Sequence, residues 1–319
     1  MRTTRADIAS GRLAVPEHPL EPGRPRRRGP RGRPRFNSAY LFIAPSAVLI
    51  AVFIAEPILQ SGWMSLHDWT IGAAVHPWVG LGNYTTMLHD PRFWNALRVT
   101  LIYTAGVTAG QVALGLAIAS RLRRTTWYTS LLRTAYFFPY IASLVVVGII
   151  WKFLLDPQVG LVNAWLADVG VAAPDWLQST ALALPTVIAV GIWKNVGFTM
   201  IVLLASMQQV PAHLYEAAKL DGAGGWQRFR YVTLPGLRPA ILFTTLVATV
   251  TGLQLFDLVF AMTGGGPIFD TESVVMYLYE KGFVEFQMGY ASAIAWALFV
   301  IILAISAVQL KVLRYRDVD

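Results

Sequence analysis

Apolar residues run along this chain in long blocks and do not alternate with polar ones. A bilayer core about 30 Å thick needs roughly 20 helical residues to cross it. Six blocks meet that length: 39–63, 96–120, 133–155, 182–205, 239–262 and 290–312. Stretches such as Ala181-Leu-Ala-Leu-Pro-Thr-Val-Ile-Ala-Val-Gly191 show no period of two, which argues against a membrane barrel. The pattern predicts an all-α membrane protein with six transmembrane helices. Its domains are a short leading tail, residues 1–37, and a helical domain over 38–319.

Composition agrees with the pattern. Apolar residues make up 55% of the 319, charged residues only 14%, and mean hydropathy is +0.51. Ordinary soluble chains are nearer a quarter charged. The basic residues also orient the chain. With the N-terminus inside, the inner segments 1–38, 121–134, 206–238 and 311–319 hold ten, four, four and three Lys and Arg, 21 in all. The outer side holds two, Arg92 and Lys281, and Arg98, Lys152 and Lys194 fall within helices. That asymmetry predicts both termini in the cytoplasm.

The net charge of +8 is concentrated in the tail, where Arg24, Arg26, Arg27, Arg28, Arg31, Arg33 and Arg35 alternate with Pro and Gly. Such a segment cannot bury a core and is expected to be disordered, attracted to anionic lipid. Nucleic acid is not expected as a partner, because no aromatic residue interrupts the cluster to stack on bases. With no Cys, disulfides and thiolate metal sites are excluded.

Pro45, Pro57, Pro139 and Pro185 within the blocks each free a carbonyl and permit a kink, tolerable only where neighbouring helices satisfy the backbone. Small residues at Gly106–Gly110 and Gly115–Ala119 predict close packing of the second helix. Trp63, Trp69, Trp78, Trp94, Trp151, Trp165 and Trp176 read as an interfacial aromatic belt. Enzyme chemistry is not expected. The five His are scattered, no G-x-S-x-G occurs, and Gly264-Gly265-Gly266-Pro267 lacks the Lys and Ser/Thr of a phosphate loop. No catalytic residue, metal site or bound cofactor is assigned.

The informative stretch is the inner loop 206–238. Pro211 suits a first helical turn, and Leu214, Ala217 and Ala218 share one face with Glu216 and Lys219 off it. Asp221-Gly222 supplies a stop. On physics alone this short helix fits two roles equally, docking on another protein or lying on the bilayer. The spacing Glu216-Ala217-Ala218, three residues, Gly222, nine residues, Val232-Thr233-Leu234-Pro235 resembles the "EAA" loop of ABC importer permeases, with Val where Ile is usual. Val79–Tyr84, Asp90–Trp94, Trp193–Phe198, Phe256-Asp257 and Thr263–Pro267 resemble the carbohydrate-uptake branch, of maltose and glycerol-3-phosphate type.

The resemblance implies the type I ABC importer permease fold and a bacterial cytoplasmic membrane location. It also implies a second, similar permease, two ATPase subunits carrying ATP and Mg, and an extracytoplasmic solute-binding protein. Glu216, Ala217, Ala218, Asp221, Gly222, Leu234 and Pro235 would form the ATPase-coupling site. A charge within a span costs about 2.5–3.5 kcal/mol unless partnered. Lys194 and Asp257 therefore read either as a buried ion pair or, for Asp257 with Trp193, Asn195 and Gln254, as lining of the solute pathway. Amino-acid or peptide uptake is the competing cargo. A secondary transporter is disfavoured by the lack of an inverted repeat.

Overall fold

A computed structural model describes residues 38–314; the basic tail lies outside the described residues. The chain divides into two units at Ala51. Of the first, helix α1 (Ser38–Ile50) is described. The second holds α2 (Glu56–Met64), α3 (Gly82–Leu88), α4 (Pro91–Arg121), α5 (Trp127–Ile141), α6 (Leu144–Leu154), α7 (Leu161–Asp168), α8 (Ala183–Gln209), α9 (Ala212–Leu220), α10 (Gly225–Arg228), α11 (Leu234–Gly236), α12 (Arg238–Leu253), α13 (Asp257–Met262), α14 (Val274–Tyr279) and α15 (Met288–Arg314). No strand occurs among the described residues, only two isolated bridges, His67 with Trp78 and Thr70 with Gln287. Among the described residues four helical runs are long and apolar enough to cross a membrane: Phe42–Met64, Pro91–Arg121, Ala183–Gln209 and Met288–Val312. Counting each of two sharply bent helix pairs, Trp127–Ile141 with Leu144–Leu154 and Gly225–Gly236 with Arg238–Leu253, as one crossing raises the number to six.

Two of the six expected spans are not continuous helices. The block 133–155 is split between α5 and α6, which meet at 101°. Pro139 has no N–H to give, and Ala142 and Ser143 are extended, so the helix ends and restarts in a new direction. The block 239–262 is also split. Helix α12 stops at Leu253 and α13 begins at Asp257. No proline causes this break. The Ser273 hydroxyl, eighteen residues on, donates to the Leu255 carbonyl at 2.5 Å and so satisfies backbone that a continuous helix would have used. The prolines also differ among themselves. Pro57 follows a π-helical segment, Ala51–Ala55, whereas Pro185 lies in the first turn of α8, where its missing N–H breaks no bond.

Helix α4 is the spine of the second unit. Its residues enter all three buried apolar clusters. Phe93 and Leu97 pack with Val274, Tyr277, Tyr290 and Ile294. Tyr103 and Val107 pack with Val147, Val187, Leu258 and Val259. Ala119 packs with Met200, Leu203, Met207 and Leu237. Glycines let α4 and α8 approach closely. A Cβ on Gly110 would lie 2.3 Å from the tip of Ile192, and one on Gly115 would lie 2.8 Å from Thr199.

Candidate functional site

Two clusters of polar and exposed groups stand apart from the apolar packing, one at each end of α4. The first surrounds α9. Pro211 turns the chain out of α8, and α9 runs nine residues before a Schellman stop closes it. There the Ala223 amide donates to the Ala218 carbonyl at 2.9 Å, and the Gly222 amide to the Lys219 carbonyl at 3.1 Å. Gly222 takes φ +77°, which a side chain would strain. Glu216, Ala217, Lys219 and Asp221 are exposed, while Ala218 is half-buried. Leu220 is 90% exposed, Trp226 73% and Tyr231 75%. Exposed apolar side chains this large, grouped on one loop, mark a surface for contact with a protein or a membrane.

Tyr215 fixes this helix to the rest of the unit. Its hydroxyl lies 3.0 Å from the Thr233 hydroxyl, and the Arg123 guanidinium sits 4.3 Å over its ring. Leu234 is half-buried and Pro235 exposed at the start of α11. Pro235 also borders a cleft of 460 Å³ with Gln209, Leu214, Tyr231 and Pro239.

The second cluster lies at the N-terminus of α4. Asp90 caps the helix, accepting from the Arg92 amide at 2.9 Å, and Pro91 follows at the first helical position. The second oxygen of Asp90 accepts the hydroxyls of Tyr277 and, at 2.7 Å, Tyr290. Burial pushes the Asp90 carboxyl up, but the two phenols and the backbone amides outweigh it and hold the group below its ordinary range. Arg92 grips two carboxylates. Its Nε and Nη2 donate to Glu272 at 2.9 and 2.7 Å, and its Nη1 and Nη2 to Glu280 at 2.7 and 2.5 Å. Glu272 has a side chain only 2% exposed, and burial pushes its carboxyl up despite the Arg92 contact. Asn95 donates to the Phe269 carbonyl at 2.9 Å, and Arg92 lies over the Phe269 ring. These bonds tie α4 to the segment after α13.

Charge counting marks Arg92 only as an outer-side charge. Its partners lie 180 and 188 residues away, beyond any local signal. The available clue was Asp90 followed by Pro91, a helix-start pattern.

The residues read as a solute pathway lie on α8 and around the break between α12 and α13. Lys194, 4% exposed, donates to the Tyr140 carbonyl at 2.9 Å, with the Tyr140 ring also near it. It makes no salt bridge with Asp257, which corrects the expected pair. Helix α5 ends beside Lys194, and the Tyr140 carbonyl and ring meet the ammonium there. Asp257 opens α13 and is half-buried. Asn195 donates to the Gly191 carbonyl of its own helix at 2.9 Å. Gln254 is exposed at the α12–α13 break, and Trp193 is 44% exposed and edge-on to Trp151. Past the break, Phe260, Phe256, Tyr279 and Phe283 form a row of rings 5.3 to 5.7 Å apart. Among the described residues no group of His, Asp and Glu could hold a metal ion.

Comparison with known proteins gives concordant matches. Residues 111–314 match the family model described as binding-protein-dependent transport system inner membrane component. The trehalose/maltose transport system permease protein MalF of Thermococcus litoralis is 32% identical over 277 residues, covering 87% of this chain and 94% of that protein. The lactose transport system permease protein LacF of Rhizobium radiobacter is 34% identical over 287 residues, 88% and 95% of the two chains. A chain of a bacterial ABC transporter importing alginate superimposes with TM-score 0.75 at 23% identity, covering 87% of this chain and 95% of the other, which establishes a shared fold.

Proposed function

The chain belongs to the family of binding-protein-dependent transport system inner membrane components, the permease subunits of ABC transporters, and on that premise we propose that it is one permease of an importer for a sugar or oligosaccharide. The cargo reading is supported by relatives named for trehalose and maltose, for lactose and for multiple sugars, each covering more than four-fifths of this chain. Amino-acid or peptide uptake is the weaker reading, because the relatives that carry the cargo reading are named for sugars.

In this reading the chain crosses the cytoplasmic membrane six times with both termini inside, each bent pair counting as one crossing. The inner loops then carry α9 and the arginines, as the positive-inside bias requires. ATP and Mg belong to two separate ATPase subunits, a second permease completes the channel, and an extracytoplasmic protein delivers the solute. Gln254, Asp257, Asn195 and Trp193 are the candidates to meet cargo. Amides and a carboxylate suit sugar hydroxyls.

The observation that carries the coupling role is α9 itself, a short, sharply stopped helix with exposed Glu216 and Leu220. Its exposed face docks on an ATPase subunit, and closure of the ATP sites moves it. Leu234 and Pro235 hold the far end of the same loop.

The test is co-purification of the ATPase subunits together with hydrolysis stimulated by loaded solute-binding protein. Glu216→Lys reverses a charge at the contact. Gly222→Val forces a β-branched residue to positive φ, at about 1–2 kcal/mol. Both variants should insert in the membrane yet shed the ATPase or lose stimulated hydrolysis. Trp176→Phe, remote from the loop and bonded to Asn163 at 2.7 Å, should leave association unchanged. Full association and stimulation in both loop variants would remove the coupling assignment.

A further inference from the structure

Helix α9 has little to hold it. Most of its surface is exposed, and its link to α8 is the pair Val210-Pro211. A loose helix could bind an ATPase subunit but could not transmit its movement. Tyr215 is the residue that removes this freedom, through Thr233 on one side and Arg123 on the other.

The Arg123 end of this contact is rigid. Arg123 lies two residues past the end of α4, in a loop pinned from several directions. The Arg133 guanidinium donates to the Leu122 carbonyl at 2.5 Å and to the Arg124 carbonyl at 3.3 Å. The Thr129 hydroxyl donates to the Arg124 carbonyl at 2.7 Å, and Leu122 is buried in the cluster with Met200 and Leu203. The loop therefore moves with α4. That helix is 31 residues long, about 46 Å, and is locked to α8 through its glycines. Its other end holds the Arg92 grip on Glu272 and Glu280.

We propose that Tyr215 is the positioning residue that makes α9 and α4 one mechanical piece, so that movement of the docking helix reaches the Arg92–Glu272–Glu280 cluster through the length of α4. The inference rests on α9 being the ATPase-docking helix. It adds a second route for the movement beside the covalent one through α8. Tyr215 itself need not touch the ATPase. Its work is to carry displacement to Arg123, and Arg92 carries it on to the segment between α13 and α15.

The experiment uses the whole complex in proteoliposomes and reads three quantities: ATPase co-purification, basal hydrolysis, and the ratio of stimulated to basal hydrolysis with loaded solute-binding protein. Tyr215→Leu and Arg123→Gln should keep the ATPase bound and basal hydrolysis intact while the ratio falls about fivefold or more, the usual scale of coupling between sites. Tyr215→Phe keeps the ring over Arg123 and should retain most of the ratio. Arg92→Gln, at the other end, should lower the ratio without loss of ATPase.

The chain contains no cysteine, so Tyr215→Cys with Arg123→Cys can be joined selectively by a short bis-maleimide. The unlinked pair should be uncoupled and the linked pair recoupled. A full ratio in Tyr215→Leu, or a linked pair that stays uncoupled, would overturn the proposal. So would loss of bound ATPase in Tyr215→Leu, which would make Tyr215 part of the docking surface. Failure of the docking reading is separately visible, as full association and stimulation in Glu216→Lys and Gly222→Val.

Discussion

Gly197 offers the sharpest test of how this bundle is assembled. It faces α5 with less room for a side chain than any other described glycine has. A Cβ built there would lie 2.0 Å from the Tyr136 carbonyl oxygen, 2.7 Å from its carbon and 2.8 Å from the Phe137 Cα. All three atoms are backbone, so no rotamer change relieves the clash. To reach even 3.4 Å the helices must part by about 1.4 Å, and a gap of 0.5–1 Å already forfeits a quarter to a half of the dispersion energy across it.

The same movement stretches two neighbouring contacts: the Lys194 bond to the Tyr140 carbonyl, now 2.9 Å, and the stack of Tyr140 on Phe198, with ring centres 4.9 Å apart. Overpacking costs about 1–3 kcal/mol, and a weakened hydrogen bond to a charged group about 1.5–3 more. Gly197→Ala should therefore destabilise the permease by about 3–5 kcal/mol. Gly110→Ala meets only the Ile192 side chain, which can shift, and should cost about 1 kcal/mol. Gly225→Ala, with nothing within 4 Å, should change little. The assay is the thermal midpoint of detergent-purified protein by size-exclusion recovery. At about 2–4 °C per kcal/mol, Gly197→Ala should lie about 10 °C below wild type. A midpoint equal to that of Gly225→Ala would refute the close contact of α5 with α8.

Further outcomes follow from the two charged regions. Lys194→Met and Asp257→Asn should be additive to within about 0.5 kcal/mol in a double-mutant cycle of thermal midpoints, since the residues share no bond; a larger coupling would restore them as partners. Arg92→Met strands Glu272 and Glu280 together and should lower the folded yield more than Glu272→Gln, which leaves Arg92 its bonds to Glu280; the reverse order would show that the cluster does not depend on the guanidinium. Asp90 has its carboxyl held below the ordinary 3.8, so the stability it lends is complete above 3.8 and is lost as pH falls through the lowered value. The acid-induced change in fluorescence of the adjacent Trp94 should therefore fall below pH 3.8, and should be absent in Asp90→Asn.

Apolar block length dictated the membrane class, because backbone groups in hydrocarbon must be satisfied within the helix and only about 20 consecutive apolar residues can do so. Local chemistry dictated α9 equally well. Pro211, the alanines and Asp221-Gly222 act within a few residues of one another, and the helix starts and stops where they require. What hydropathy could not register was continuity. Gln254 and Asp257 flank Leu255 without interrupting the apolar block, yet the helix breaks there, where Ser273 arrives from another segment to take the freed carbonyl. The same limit applies to charge. Lys194 carried a clear demand for a partner, but only the end of α5 beside it decided that the Tyr140 carbonyl, and not Asp257, would meet it. Arg92 looked like an ordinary outer charge until the fold placed Glu272 and Glu280 against it across 180 and 188 residues. Periodicity, caps and block length are fixed by neighbours along the chain, whereas the partners of buried polar groups are chosen by whichever elements pack against them, and that choice belongs to the tertiary structure.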